Sequence, residues 1–120
     1  MGDEKVRLAI ATEGERGLAD IVSNVFARAK TFTILDLEEG KVKDLKIIKN
    51  PAVSYKSGAG PIIVKTLADL GVNRVVASEF GPGASTLLEQ LNVAKVKVNS
   101  GSRVSDIIKN ILSSLRNTIS

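Results

Sequence analysis

Glycine concentrates in four short stretches of this sequence, at places where a chain can meet an anion with its backbone. They are Glu13-Gly14-Glu15-Arg16-Gly17, Ser57-Gly58-Ala59-Gly60, Gly81-Pro82-Gly83-Ala84-Ser85 and Ser100-Gly101-Ser102, and they hold seven of the ten glycines. The last three each lead into apolar residues at helical spacing. A glycine-rich start exposes backbone N–H groups at the positive end of a helix dipole, which is the chemistry of oxyanion and phosphate binding. None of the four is G-x-G-x-x-G or a Walker A loop. Glycine and serine also punctuate ordinary turns and caps, and that accounts for any one loop. Two G-x-G pairs at neighbouring helix starts, Gly58/Gly60 and Gly81/Gly83, exceed what turns require.

The residue types that are missing narrow the chemistry further. The chain has no Cys, no His and no Trp, and Met1 is its only methionine. Disulfides, thiolate nucleophiles, Cys/His zinc sites, iron–sulfur ligation by this chain alone and imidazole-dependent triads are therefore excluded. A metal-dependent nuclease or phosphotransfer enzyme would need clustered carboxylates to hold its cation. Glu13 and Glu79 close two apolar strands and are the acids available for that role. The middle of the first strand, Leu8-Ala9-Ile10, offers none.

The formal net charge is +4, from 17 Lys and Arg against 13 Asp and Glu. Residues 41–56 carry all of it, with Lys41, Lys43, Lys46, Lys49 and Lys56 set against Asp44 alone. This basic strip would suit a nucleic-acid or protein-interaction module. The aromatic platform for single strands is absent, however: Phe26, Phe32 and Phe80 read as core, leaving Tyr55. Nucleic acid is accordingly not the expected partner. The longest uninterrupted apolar run, Leu8-Ala9-Ile10-Ala11, is far too short for a membrane span or a signal segment. Met1-Gly2 opens like a myristoylation site, but Val6 stands where Ser or Thr is needed. A cytoplasmic location is the expectation.

These loops must be held by regular elements. Residues 5–12 read as a strand buried on both faces. Leu18, Ile21, Val22 and Val25 have helical spacing and predict a short helix over 18–25. Residues 31–37 and 41–49 flank Glu38-Glu39-Gly40 as a hairpin, ended by Asn50-Pro51. A helix opens at Pro61, buries Ile63, Val64, Leu67 and Leu70, and stops at Gly71. A strand at 74–78 leads to a helix carrying Ala84, Leu87, Leu88 and Leu91. A strand at 95–98 precedes the clearest helix, with Val104, Ile107, Ile108, Ile111, Leu112 and Leu115 on one face.

A hairpin followed by βαβ units predicts a single 1–120 domain: three α/β/α layers around a mixed five-stranded sheet. Lysines mark the third and fifth strands as edges, because Lys blunts edge-to-edge pairing. The apolar first and fourth strands belong in the centre. The expected order is 3-2-1-4-5 with the second strand antiparallel, the ribonuclease H-like motif. In it the four glycine loops share one sheet edge, with the switch point between strands one and four.

The chain resembles the dinitrogenase iron-molybdenum cofactor biosynthesis family, nitrogenase accessory factor-like domains that bind or carry the cofactor or its precursors. The resemblance runs from about Val6 to Leu115 and rests on ordered short motifs. These are the RLAIAT strand, Ser23 and Phe26-Ala27-Arg28-Ala29 with Phe32 before TILD, then Asn50-Pro51. Gly58-Ala59-Gly60-Pro61, Leu70-Gly71-Val72 and Phe80-Gly81-Pro82-Gly83-Ala84 complete it. Where the family usually reads His-Phe-Gly-Arg-Ala, this chain has Val25-Phe26-Ala27-Arg28-Ala29. Ser57 replaces a histidine often found before Gly-Ala-Gly.

The resemblance implies a ribonuclease H-like fold and a small non-enzymatic binding or carrier protein. Its cargo would be the iron-molybdenum cofactor, a precursor cluster or another small anion, and its partners a cluster donor or acceptor protein. With the imidazole ligands missing, the expected contacts are Thr12, Arg28, Ser57, Gly58, Gly60, Gly81, Gly83, Ser85, Gly101 and Ser102. A Cβ at Gly83 would obstruct close approach of the anion.

Overall fold

The computed structural model describes residues 5–119 in backbone and 5–114 in side chain; Met1, Gly2 and the Leu115 side chain lie outside the described residues. Strands β1 (Val6–Thr12), β2 (Thr31–Glu38), β3 (Lys41–Lys49), β4 (Arg74–Ala77) and β5 (Ala94–Lys97) form one sheet. Helix α1 (Ala59–Asp69) precedes β4, α2 (Pro82–Gln90) precedes β5, and α3 (Val104–Ile119) follows it. The strand order is β3-β2-β1-β4-β5, with β2 antiparallel to both of its neighbours and β4 and β5 parallel to β1. This is the arrangement the lysine distribution and the hairpin predict.

The pattern of side chains explains the layers. Ala9, Ala11, Phe32, Ile34, Val75 and Ala77 face α1 and α2, where Ile63, Val64, Leu67, Ala84 and Leu88 close the first core. Leu8, Ile10, Leu35, Leu37 and Val76 face the other way, onto Val104, Ile107, Ile108 and Ile111 of α3. Between β2 and β3 the turn residues Glu39 and Gly40 both have positive φ, 56° and 75°. That two-residue geometry follows the twist of the strands it joins. Helix α1 ends on Gly71 at φ 82°, with its N–H donating to Ala68 and that of Val72 to Leu67. This pair of bonds satisfies the last carbonyls and turns the chain into β4.

Two expectations are corrected. Residues 18–25 are not a helix: a single 3-10 turn spans Gly17–Ala19, and Ile21 and Val22 are extended, bridging Arg103 and Thr12. The N–H groups of Val22 and Ser23 donate to the carbonyls of Ser102 and Ala11 instead of to an earlier helical turn, and the buried Asp20 carboxylate accepts the N–H groups of Gly14, Arg16 and Ile21. Such side-chain bonds compete with helix formation, and the β-branched neighbours favour extension. Leu18 and Val25, the outer members of the expected stripe, are 42% and 43% exposed. Leu91 is also exposed, because α2 ends at Gln90 and Leu91 lies past its last turn.

Candidate functional site

Strands β1, β3, β4 and β5 all run toward one edge of the sheet, and the glycine loops leave from it. Two of these loops are fixed by a polar side chain. Asp20 gathers the 14–21 loop and accepts a further bond from the Arg16 guanidinium at 3.3 Å. Burial disfavours its charge, but the backbone N–H groups of Arg16 and Ile21 and the Arg16 guanidinium outweigh that. The carboxyl therefore ionises below its ordinary range. Buried Asn50 donates to the carbonyls of Ala27 and Ala29 and accepts from the Ala52 N–H, each at 2.8 Å. It ties the 50–58 loop to the segment around Phe26, whose ring contacts Phe32 and Phe80.

The chain fills the switch point itself. Val22 pairs with Thr12 on one side, while its N–H and carbonyl bond Ser102 and Gly101 on the other. The Ser78 hydroxyl donates to the Ser23 carbonyl at 3.1 Å, closing the gap between β1 and β4. The open space lies one strand further along. A polar cleft of about 520 Å³ is lined by Asn24, Ser78, Glu79, Lys97, Asn99 and Ser100 at the ends of β4 and β5. A second depression adjoins it, walled by Phe80, Gly81, Pro82 and Ser85 and sharing Glu79 and Lys97.

Beside this cleft, α1 and α2 both begin on a glycine of positive φ. Gly58 (φ 76°) and Gly81 (φ 80°) are their N-caps, and among the described residues no side chain caps either helix. Pro61 and Pro82 fall in the first turns and bring no N–H. The remaining first-turn donors, Ala59, Gly60, Gly83 and Ala84, have no acceptor within their own helix. The two turns touch: a Cβ built on Gly60 would lie 3.6 Å from that of Ala84. Two positive helix ends thus stand side by side, one of them at the lip of the cleft.

The expected site residues divide accordingly. Gly58, Gly60, Gly81 and Gly83 come together at the paired helix starts, with exposed Ser57 just before Gly58. Ser85 lies two residues further into α2, its hydroxyl accepting from the Lys95 ammonium at 2.6 Å. Thr12 is fully buried, its hydroxyl bonded to those of Thr31 and Thr33 at 2.7 and 3.1 Å. Gly101 and Ser102 hold Val22. Arg28 turns onto the loop before α1, donating to the carbonyls of Lys56 at 2.8 Å and Val53 at 3.5 Å. A Cβ on Gly83 meets no protein atom within 4 Å, and the left-handed glycine of that pair is Gly81. Lys97, Asn24 and Asn99 escaped the sequence reading. The position of Lys97 at a strand end was the available signal, but the displacement of the cleft depends on where residues 20–23 run.

Residues 4–114 match the family described as dinitrogenase iron-molybdenum cofactor. The chain belongs to this family. An uncharacterized protein of Methanocaldococcus jannaschii is 32% identical over 77 residues, 64% of this chain. That match spans 65% of the relative's length. A candidate NifB protein from Thermotoga superposes with a TM-score of 0.70 at 29% identity, over 91% of this chain and 88% of that one. The apo orange protein of Desulfovibrio gigas shares the fold, with a TM-score of 0.82 at 22% identity and coverage of 94% and 92%.

The family name points to a metal cluster, and the donors present can be tested against it. The chain has no Cys and no His, and among the described residues no group of three or more acids could hold a metal ion. The site therefore does not fit direct ligation of iron or molybdenum. The first-turn N–H groups of Ala59, Gly60, Gly83 and Ala84 are hydrogen-bond donors without a partner in their own helix. Among the described residues no helix is long and apolar enough to cross a membrane.

Proposed function

We propose that this member of the dinitrogenase iron-molybdenum cofactor family is a non-enzymatic carrier of a small anion. The cargo class is a pre-formed anionic metal cofactor, the iron-molybdenum cofactor or a precursor, held by its outer atoms. Ala59, Gly60, Gly83 and Ala84 supply N–H donors, Ser57 and Ser85 flank them, and Arg28 shapes the loop that feeds α1. The observation that carries this reading is the contact of two uncapped helix starts at Gly60 and Ala84. Handling such a cargo implies a protein that supplies or receives it, in the cytoplasm.

Molybdate is a suitable probe, titrated into isotope-labelled protein at fixed salt. Amide shifts are expected at Ala59, Gly60, Gly83 and Ala84. Gly83→Glu should weaken binding by charge repulsion at the helix start, while Lys43→Glu on the distant edge strand should leave it nearly unchanged. Equal losses from the two changes would mean diffuse attraction and would overturn the pocket. Glu79→Gln removes the carboxylate at the mouth and should tighten binding. Cleavage of nucleic acid with Mg²⁺ or Mn²⁺ is expected to be absent; turnover abolished by Glu79→Gln would overturn the non-enzymatic reading.

A further inference from the structure

Among the described residues strand β5 ends the sheet with no strand on its outer edge, which runs beside a largely apolar groove. The N–H groups of Ala94 and Val98 donate to the carbonyls of Asn73 and Ala77 on the β4 side. By the alternation of a parallel ladder, the N–H and C=O groups of Lys95 and Lys97 point away from the sheet. On the α3 face, Val96 and Val98 line a groove of about 290 Å³ with Ile107 and Ile111, bordered by Arg74, Asn110 and Ser114. On the α2 face stand two lysines. Lys95 is occupied by Glu89 and Ser85, whereas Lys97 is exposed over the cleft. The edge therefore offers main-chain partners, an apolar row on one side and an ammonium on the other.

We propose that this edge receives an extended segment of another protein whose residues alternate between apolar and acidic. Pairing with Lys95 and Lys97 would add a sixth strand to the sheet. The apolar side chains of the segment would cover Val96, Val98, Ile107 and Ile111, and its carboxylates would face Lys97. Charge argues against a second copy of this chain as the occupant. A two-fold antiparallel pairing of β5 with itself, centred on Val96, sets Lys95 opposite Lys97 of the other copy on the same face. Pairing centred on Lys95 or Lys97 sets like charges directly together.

The probe is a short capped peptide alternating glutamate and valine, added to isotope-labelled full-length protein. Shifts are expected at Val96, Val98, Ile107 and Ile111, with slowed hydrogen exchange at the Lys95 and Lys97 amides. Lys97→Glu should weaken the peptide about tenfold or more and favour a lysine–valine peptide in its place. Lys97→Gln, a milder change at an exposed position, should give an intermediate loss. Shifts centred on residues 41–49 would overturn the proposal, as would equal binding of both peptides to the unaltered protein. Indifference to both Lys97 variants would do the same, and so would concentration-dependent dimerisation through β5 in sedimentation without peptide.

Discussion

Gly81 sits at φ 80° and ψ 154°, a backbone region that only glycine occupies without strain. Nothing lies within 4 Å of a Cβ placed there, so the cost of Gly81→Ala is a backbone cost. A loss of about 1–3 kcal/mol is expected in thermal or denaturant unfolding. Gly83→Ala is the matched control: Gly83 is helical and faces open space, and the change should be neutral or stabilising by up to about 1 kcal/mol. Asp20 gives a pH prediction. Its folded-state pKa lies below the ordinary carboxylate value, so its contribution is present above that value and lost as pH falls through the folded pKa. Asp36 behaves alike, held down first by its hydrogen bond from Arg7. Stability should therefore decline on the acid side of the carboxylate range. Asp20→Asn should lower stability at neutral pH and flatten that acid limb in unfolding curves recorded against pH.

The loops that present the site are elements held from below. Asn50 makes three bonds, two of which join the 50–58 loop to residues 27 and 29. Asn50→Ala would leave those backbone groups to find other partners, at about 1–3 kcal/mol for a buried group left unsatisfied. Hydrogen exchange should then quicken in both segments before it changes in β1. The sequence made Asn50-Pro51 visible as the end of β3 because proline cannot continue a strand ladder. The two bonds that the asparagine donates were not legible, since both acceptors lie more than twenty residues upstream. The missed extension at residues 20–23 has the same origin. Periodicity at Leu18, Ile21, Val22 and Val25 is a local signal, whereas the N–H groups of Val22 and Ser23, which a helix would have used, donate to the distant carbonyls of Ser102 and Ala11.

At the scale of the molecule, one sheet separates two cores and belongs to both. Ile63 closes the first and Ile108 the second, at 0% and 4% exposure. Truncating either to alanine should cost about 2–5 kcal/mol. Because β1 contributes Ala9 and Ala11 to one core and Leu8 and Ile10 to the other, the two should melt together. Ile63→Ala and Ile108→Ala are each expected to lower a single calorimetric transition. Two resolved transitions would show that the layers unfold independently.

By itself the sequence determined which strands are central and which are edges. That information is carried residue by residue: apolar runs where both faces are buried, lysines where one edge meets water. It also determined that the chain brings no thiol or imidazole to a metal, since composition needs no fold to be read. Only the tertiary structure decided that the starts of α1 and α2 meet at Gly60 and Ala84, and that Arg28 spends its guanidinium on loop carbonyls. It alone decided that the cleft opens between β4 and β5 rather than at the switch point. These are contacts between segments distant in the chain, set by how one layer packs on another, and no local pattern of residues encodes their distances.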